Sequence, residues 1–184
     1  FVGWKYGDVD ITADMTYADL AADDSVMSIT LTAMWRDVEN PTGEIIIKDN
    51  RWNKFLKGIT FGLFFKETQN VTVIASDNSG GQVKIEYLLS QKELTEEELA
   101  NAAFKDYAEF GIDPDNEYIV YVRLTDDAGN VSYICSEGIV LDGTVPIIGG
   151  IENGRTYCEA QTVTVEDKYI GSVDVNGKEI ALDE

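Results

Sequence analysis

From residue 118 to residue 125 the chain alternates without a break. Tyr118, Val120, Val122 and Leu124 fall on one side, and Ile119, Tyr121 and Arg123 on the other. A period of two places successive side chains on opposite faces of an extended backbone, and β-branched and aromatic residues suit a pleated surface. The same period recurs over residues 27–35, 68–76, 83–89 and 131–135, with Val71, Val73 and Ala75 expected to point inward in the second of these. Between the runs stand Asp77-Asn78-Ser79-Gly80-Gly81 and Asp126-Asp127-Ala128-Gly129-Asn130, the residue types that tight turns need. The pattern predicts an all-β fold in which residues 118–125 and 131–135 form a hairpin and residues 139–141 complete its sheet.

One element breaks the period. Thr95 followed by Glu98 is a capping box, in which the hydroxyl accepts from an amide three residues on and the carboxylate reaches back to the cap amide. Leu94, Leu99, Ala102 and Ala103 give the segment an apolar side, and the spacing predicts a helix near residues 95–106. One helix among many strands cannot cover a parallel sheet, so it reads as an insertion decorating a β-sandwich. Residues 37–57 differ again: Asn40-Pro41-Thr42-Gly43 signals a turn, and Trp52, Phe55 and Leu56 are spaced like one face of a short helix. A solvated linker would not carry such aromatics, so residues 37–57 are expected to be a connector packed on its neighbours.

The chain also repeats itself. Glu67, Gln69, Val71, Thr72 and Val73 recur as Glu159, Gln161, Val163, Thr164 and Val165 at an offset of 92, and Gly62 recurs as Gly154. Self-similarity at a domain's spacing is the mark of a modular array. Residues 143–184 are therefore expected to be the first part of a second copy, with Asn176-Gly177 joining a hairpin of residues 172–175 and 178–182. Phe1 falls inside an expected strand, which reads as a segment of a longer chain without a signal peptide.

Charge and composition narrow the function. The 184 residues carry 34 acidic and 14 basic side chains, a net charge of −20, which repels nucleic acid and anionic membrane surfaces alike. The most apolar stretch, residues 59–65, is far shorter than the roughly 20 residues a spanning helix needs, so no membrane insertion is expected. Zero histidines remove the commonest metal ligand and general base. Cys135 and Cys158 make neither a disulfide framework nor a zinc set; they are expected to be free thiols, with a single Cys135–Cys158 bridge between consecutive modules as the alternative.

Two groups of residues resemble known families. Phe1-Val2-Gly3-Trp4 with Ile29-Thr30-Leu31-Thr32-Ala33-Met34-Trp35 is similar to the second half of an internalin-type B repeat, a small β-grasp-like unit of Gram-positive surface proteins, covering residues 1–36. Residues 58–142 resemble bacterial immunoglobulin-like and fibronectin type III-like modules through Ile112, Pro114, Tyr118, Val120, Val122, Asp127-Ala128-Gly129-Asn130 and the exit Leu141-Asp142-Gly143-Thr144-Val145-Pro146. The resemblance implies an immunoglobulin-like β-sandwich with one helical insertion, flanked by partial β modules. It also implies structural roles for Tyr118 (as a tyrosine corner), Gly129 and Pro146. Such modules are spacers and adhesion units on the outside of a Gram-positive cell wall. A non-enzymatic segment is the expectation, with neighbouring modules of the same chain as partners and a host or glycan ligand as an addition.

Candidate sites are few. Asp23-Asp24, Asp126-Asp127 and Glu96-Glu97-Glu98 are adjacent acids that point apart on a strand or a helix, which suits surface rather than hydrolysis. Neither cysteine has a histidine to activate it. The turns holding Asp77, Asp126, Asp127 and Asn130 are expected at one end of the sandwich, where oxygen ligands from two loops could hold Ca²⁺, although turns require these residues anyway. Trp4, Trp35, Trp52, Tyr87, Tyr121 and Tyr133 are the rings available to a sugar, most of them expected in cores. The alternative reading is accordingly a glycan-binding module accessory to a carbohydrate-active enzyme.

Overall fold

A computed structural model describes residues 1–181 apart from Ala22 and Asp24. The pair Asp23-Asp24 and the strand expected to end at Leu182 therefore lie partly outside the described residues. The chain opens with β1 (Gly3–Tyr6), β2 (Val9–Asp10), the helical turn α1 (Tyr17–Leu20) and β3 (Thr32–Met34), with β1 central in a three-stranded antiparallel sheet. The strand expected over residues 27–35 shrinks to β3. Only Gly3, Trp4 and Lys5 pair with it, and Met27, left without a partner strand, is 91% exposed.

Next come β4 (Thr42–Ile47), β5 (Asn50–Trp52), β6 (Phe61–Phe65), β7 (Gln69–Ser76), β8 (Lys84–Ser90), α2 (Glu96–Ala100), β9 (Lys105–Asp106), β10 (Phe110–Ile112), β11 (Asn116–Thr125), β12 (Val131–Cys135) and β13 (Gly138–Leu141). One sheet has the order β10-β7-β4-β5. The other runs β6-β13-β11-β8-β9, with β12 paired to the outer half of β11. Ile45, Ile47, Val71, Val73 and Ile112 of the first sheet meet Val120, Val122, Leu124, Ile134, Ile139 and Leu141 of the second in one core. The fold is thus an all-β sandwich, with Val71, Val73, Val120, Val122, Leu124 and Ile134 of its core taken from the alternating runs.

Two sequence expectations change. Residues 37–57 are not simply a connector, because β4 and β5 belong to the sandwich. Six residues of β4 pair with β7, and Ile45 and Ile47 are fully buried. Three consecutive isoleucines, Ile45-Ile46-Ile47, are β-branched and favour an extended backbone once a partner strand is present. The helix also ends at Ala100 instead of continuing to residue 106, and Asn101 Nδ2 donates to the Glu97 carbonyl at 2.9 Å as it closes. Lys105 and Asp106 then extend the sheet by pairing with Tyr87 and Glu86.

The capping box forms as the spacing predicts. Thr95 Oγ1 accepts from Glu98 N at 3.2 Å, and Thr95 N donates to Glu98 Oε2 at 2.8 Å. With one Leu99 side chain buried from five helical residues, α2 leans on this cap. Thr95→Ala is expected to cost about 1 kcal/mol in urea unfolding of the whole chain.

A smaller second core lies on the outer face of the larger sheet. Leu99, Ile119, Tyr121 and Cys135 are buried there beneath Phe55, Leu56, Ile59, Phe61, Leu94 and Phe104. This is why β11 is apolar on both sides: it is covered on both sides. The turn from β11 to β12 needs Gly129, which sits at φ +87° where a side chain would be strained. At the start of β13, Gly138 passes so close to Phe61 on β6 that a Cβ would meet its ring at 2.6 Å.

After the sandwich, residues 142–146 lead to β14 (Ile147–Gly149), β15 (Thr164–Glu166) and the hairpin β16 (Val173–Val175) with β17 (Lys178–Ile180). Asn176 and Gly177 both have positive φ, as a two-residue primed turn requires. The repeat is visible in structure. At the offset of 92, β15 falls on residues of β7, and Gln161 Nε2 donates to the Glu159 carbonyl at 3.2 Å as Gln69 Nε2 does to Glu67 at 2.8 Å; β14, which pairs with β15, falls on residues 55–57 at that offset and not on β4. Tyr169 ties this unit to the sandwich, donating to Glu117 Oε2 at 3.2 Å and meeting Phe64 edge-on. Among the described residues no helix is long and apolar enough to cross a membrane.

Candidate functional site

Three turns converge at one end of the sandwich. Asp37 lies between β3 and β4, Asp77 just after β7, and Asp126 just after β11. One carboxylate oxygen from each lies within 4.8 Å of the others. Each acid is held by its own loop. Asp37 Oδ1 accepts from Glu39 N at 3.0 Å, and Asp77 Oδ2 accepts from Ser79 N at 3.0 Å and from the Ser79 hydroxyl. Asp126 accepts from Asn130 N on Oδ1 and from Asn130 Nδ2 on Oδ2, both at 2.8 Å.

Those bonds occupy one oxygen each of Asp37 and Asp77. The other oxygens, Asp37 Oδ2 and Asp77 Oδ1, are shut off from solvent and accept no hydrogen bond from any described group. Asp126 is itself 7% exposed. Burial pushes its carboxyl up, but the donors from Asn130 and from the Ala128 and Gly129 backbone outweigh that and hold it below its ordinary value. It is therefore ionised at neutral pH. Among the described residues no ion pair joins any of the three to a lysine or arginine. Carboxylates this close repel one another.

The other site residues expected from sequence are distributed differently. Asp127 turns away from the cluster, its Oδ2 accepting from Gln82 N at 3.0 Å and so tying the two loops together. Asn130 orients Asp126 and extends Nδ2 toward the Asp37 carbonyl at 3.4 Å. Tyr118 forms no hydrogen-bonded corner among the described residues; its ring packs on the main core beside Val120. Tyr107 makes the equivalent tie, accepting from Val73 N at 2.8 Å and donating to the Val71 carbonyl at 3.3 Å. Pro146 is exposed at the end of the irregular segment leading to β14.

Cys135 and Cys158 are both free thiols, the first buried and the second exposed. Burial pushes the Cys135 thiol up, and its sulfur accepts from Leu56 N at 3.1 Å, so it serves as a packed hydrophobe rather than a nucleophile. Of the six aromatic rings considered for sugars, Trp52, Tyr87, Tyr121 and Tyr133 pack into the two cores. Trp4 and Trp35 are exposed, and both stand against Phe1, with ring centroids 5.4 and 5.6 Å away.

Sequence reasoning missed Asp37 because it stands in a segment that reads as a connector. A signal was present in the spacing to proline. Asp37 precedes Pro41 by four residues and caps the amide of Glu39; Asp142 precedes Pro146 by four and caps the amide of Thr144 at 3.2 Å. Asp167, just after β15, likewise accepts from Tyr169 N at 2.8 Å, as Asp77 after β7 accepts from Ser79 N. Comparison with protein-family models, curated proteins and solved structures finds no match.

Proposed function

We propose that this chain is a non-enzymatic spacer and adhesion segment of a multi-module surface protein attached to a Gram-positive-type cell wall. The observation that carries the reading is the structural repeat. A proline-bearing lead-in, a side-chain bond and a strand recur in order along one chain, ending in β7 and then in β15. Units in series, joined by short connectors such as residues 37–41 and 142–146, transmit load and set distance. The immunoglobulin-like resemblance of residues 58–142 supports the same reading. So does a net charge of −20, which keeps neighbouring modules hydrated and apart.

Pulled from its two ends in a force spectrometer, the chain is expected to give one dominant unfolding step. Residues 42–141 make up the sandwich, and extending them at about 3.4 Å per residue releases roughly 30 nm. Extension without a resolved step, or turnover of glycoside, ester or peptide substrates by the purified chain, would sink the proposal.

A second reading has one observation in its favour. Phe1, Trp4 and Trp35 form an exposed aromatic cluster in which Trp35 is 76% exposed, and flat rings suit the faces of sugars. A glycan-binding module would bind on a glycan array and lose that binding in Trp35→Ala. An array without signal leaves the spacer alone.

A further inference from the structure

We infer that Asp37, Asp77 and Asp126 form a calcium site that clamps the lead-in to β4 onto the two loops at the end of the sandwich. The inference goes beyond the spacer reading and stands whether or not that reading holds, because it rests on local geometry alone. A group of acids is common on an acidic surface; two properties separate this one from the rest. First, Asp37 Oδ2 and Asp77 Oδ1 are removed from solvent yet accept no hydrogen bond from a described group. A buried carboxylate oxygen left so is unfavourable, and buried acids are ordinarily paired or bound to a metal. Second, the remaining oxygens of Asp37 and Asp77 are held by loop donors, and both oxygens of Asp126 by Asn130, so the three side chains are fixed in place before an ion arrives.

The donor set chooses the ion. All three ligands are hard oxygens, and the protein has no histidine to recruit zinc or copper. Calcium binds oxygens at about 2.3–2.6 Å, so opposite ligands stand roughly 5 Å apart and neighbouring ones closer, which accommodates oxygens within 4.8 Å of one another. Magnesium binds at about 2.1 Å in a strict octahedron and gives up its water reluctantly, so three carboxylates on separate loops suit it poorly. One Ca²⁺ offsets two of the three negative charges that otherwise repel.

The position of the site gives it a consequence. The three acids are 40 and 49 residues apart in sequence (77 − 37 and 126 − 77), so an ion joins the lead-in, the β7–β8 loop and the β11–β12 loop at once. Such a clamp fixes the direction in which the chain enters the sandwich.

The test is calorimetric titration of the whole chain, stripped with EDTA, with calcium chloride, followed by thermal unfolding. One calcium per chain is expected, with the melting temperature raised by about 5–10 °C when calcium is 100-fold above its dissociation constant. Asp37→Asn and Asp77→Asn should each weaken binding at least 10-fold, whereas Asp127→Asn, which lies outside the cluster, should leave it unchanged. Asp37 lies outside the paired strands, so its variant reports on the ion even if changes in the loops perturb folding. Three results would overturn the proposal: no heat and equal melting temperatures in calcium and EDTA, a calcium response untouched by Asp37→Asn and Asp77→Asn, or magnesium binding as tightly as calcium.

Discussion

Ile45→Ala is expected to lower the unfolding free energy by about 2–5 kcal/mol, measured by urea denaturation of the whole chain. Ile45 has no solvent exposure and lies opposite Val73 on β7, in the core shared with Val120, Val122 and Leu124. Alanine removes three carbons and leaves a cavity that the surrounding strands, held by their ladders, cannot collapse to fill. Its neighbour Ile46 points the other way and is only half-buried, so Ile46→Ala should cost clearly less. The contrast between the two adjacent residues decides whether 42–47 is a strand of the sandwich. In a connector packed loosely on its neighbours, the two substitutions would cost similar, small amounts. A loss below about 1 kcal/mol for Ile45→Ala would contradict the placement of β4 between β5 and β7.

The second large effect is expected at Arg123. Glu86 is a buried acid, 6% exposed, on β8 directly opposite Arg123 on β11. Arg123 Nε donates to Glu86 Oε2 at 2.9 Å with Nη2 2.8 Å from the same oxygen, Lys84 Nζ holds Oε1 at 2.8 Å, and the guanidinium lies 4.6 Å over the Phe104 ring. Removing the arginine by Arg123→Ala leaves the carboxylate desolvated with half its partners, which is expected to cost about 3 kcal/mol or more. Replacing both residues with apolar ones of similar size, Arg123→Met with Glu86→Leu, should recover most of that loss, because the penalty comes from the stranded charge. A double variant as unstable as the single one would mean that the loss comes from packing and not from a stranded charge.

The same pair sets a pH dependence. Burial pushes the Glu86 carboxyl up, but the Lys84 and Arg123 hydrogen bonds and charges outweigh it and hold the folded-state value below the ordinary one. A depressed carboxyl contributes stability that is fully present above its unfolded-state pKa of about 4.3 and is lost as pH falls through the lower folded-state value. Unfolding free energies measured between pH 6 and pH 3 should therefore fall with pH, and the fall should be shallower in Arg123→Ala.

Some of this molecule was legible residue by residue. The alternation at 118–125, the capping box at Thr95 and Glu98 and the Asn176-Gly177 turn all appear in the structure as elements or pairings. Each is a local matter, decided within a few residues by which face a side chain takes, by a cap, or by a positive φ. The segment 42–52 escapes local reading for the same reason. Ile45-Ile46-Ile47 declares a strand only once β7 supplies its partner from 24 or more residues away (Ile47 with Val71), and Trp52 only then faces a core. The helix near 95–106 stops short because Lys105 and Asp106 find a sheet edge, which no local propensity announces.

The carboxylate cluster shows the division most clearly. Asp77 and Asp126 could be picked out because Asp belongs in their turns, and the alternation of the strands between them placed both turns at one end. Asp127 sits beside Asp126 in sequence, yet it turns to the Gln82 amide. Asp37 is remote in sequence and joins the cluster, because the pairing of β4 with β7 brings the residues before Thr42 beside those after Ser76. Local chemistry thus set where the chain extends and where it turns. The pairing of strands across tens of residues, driven by burial of the shared core, decided which of its many acids face one another.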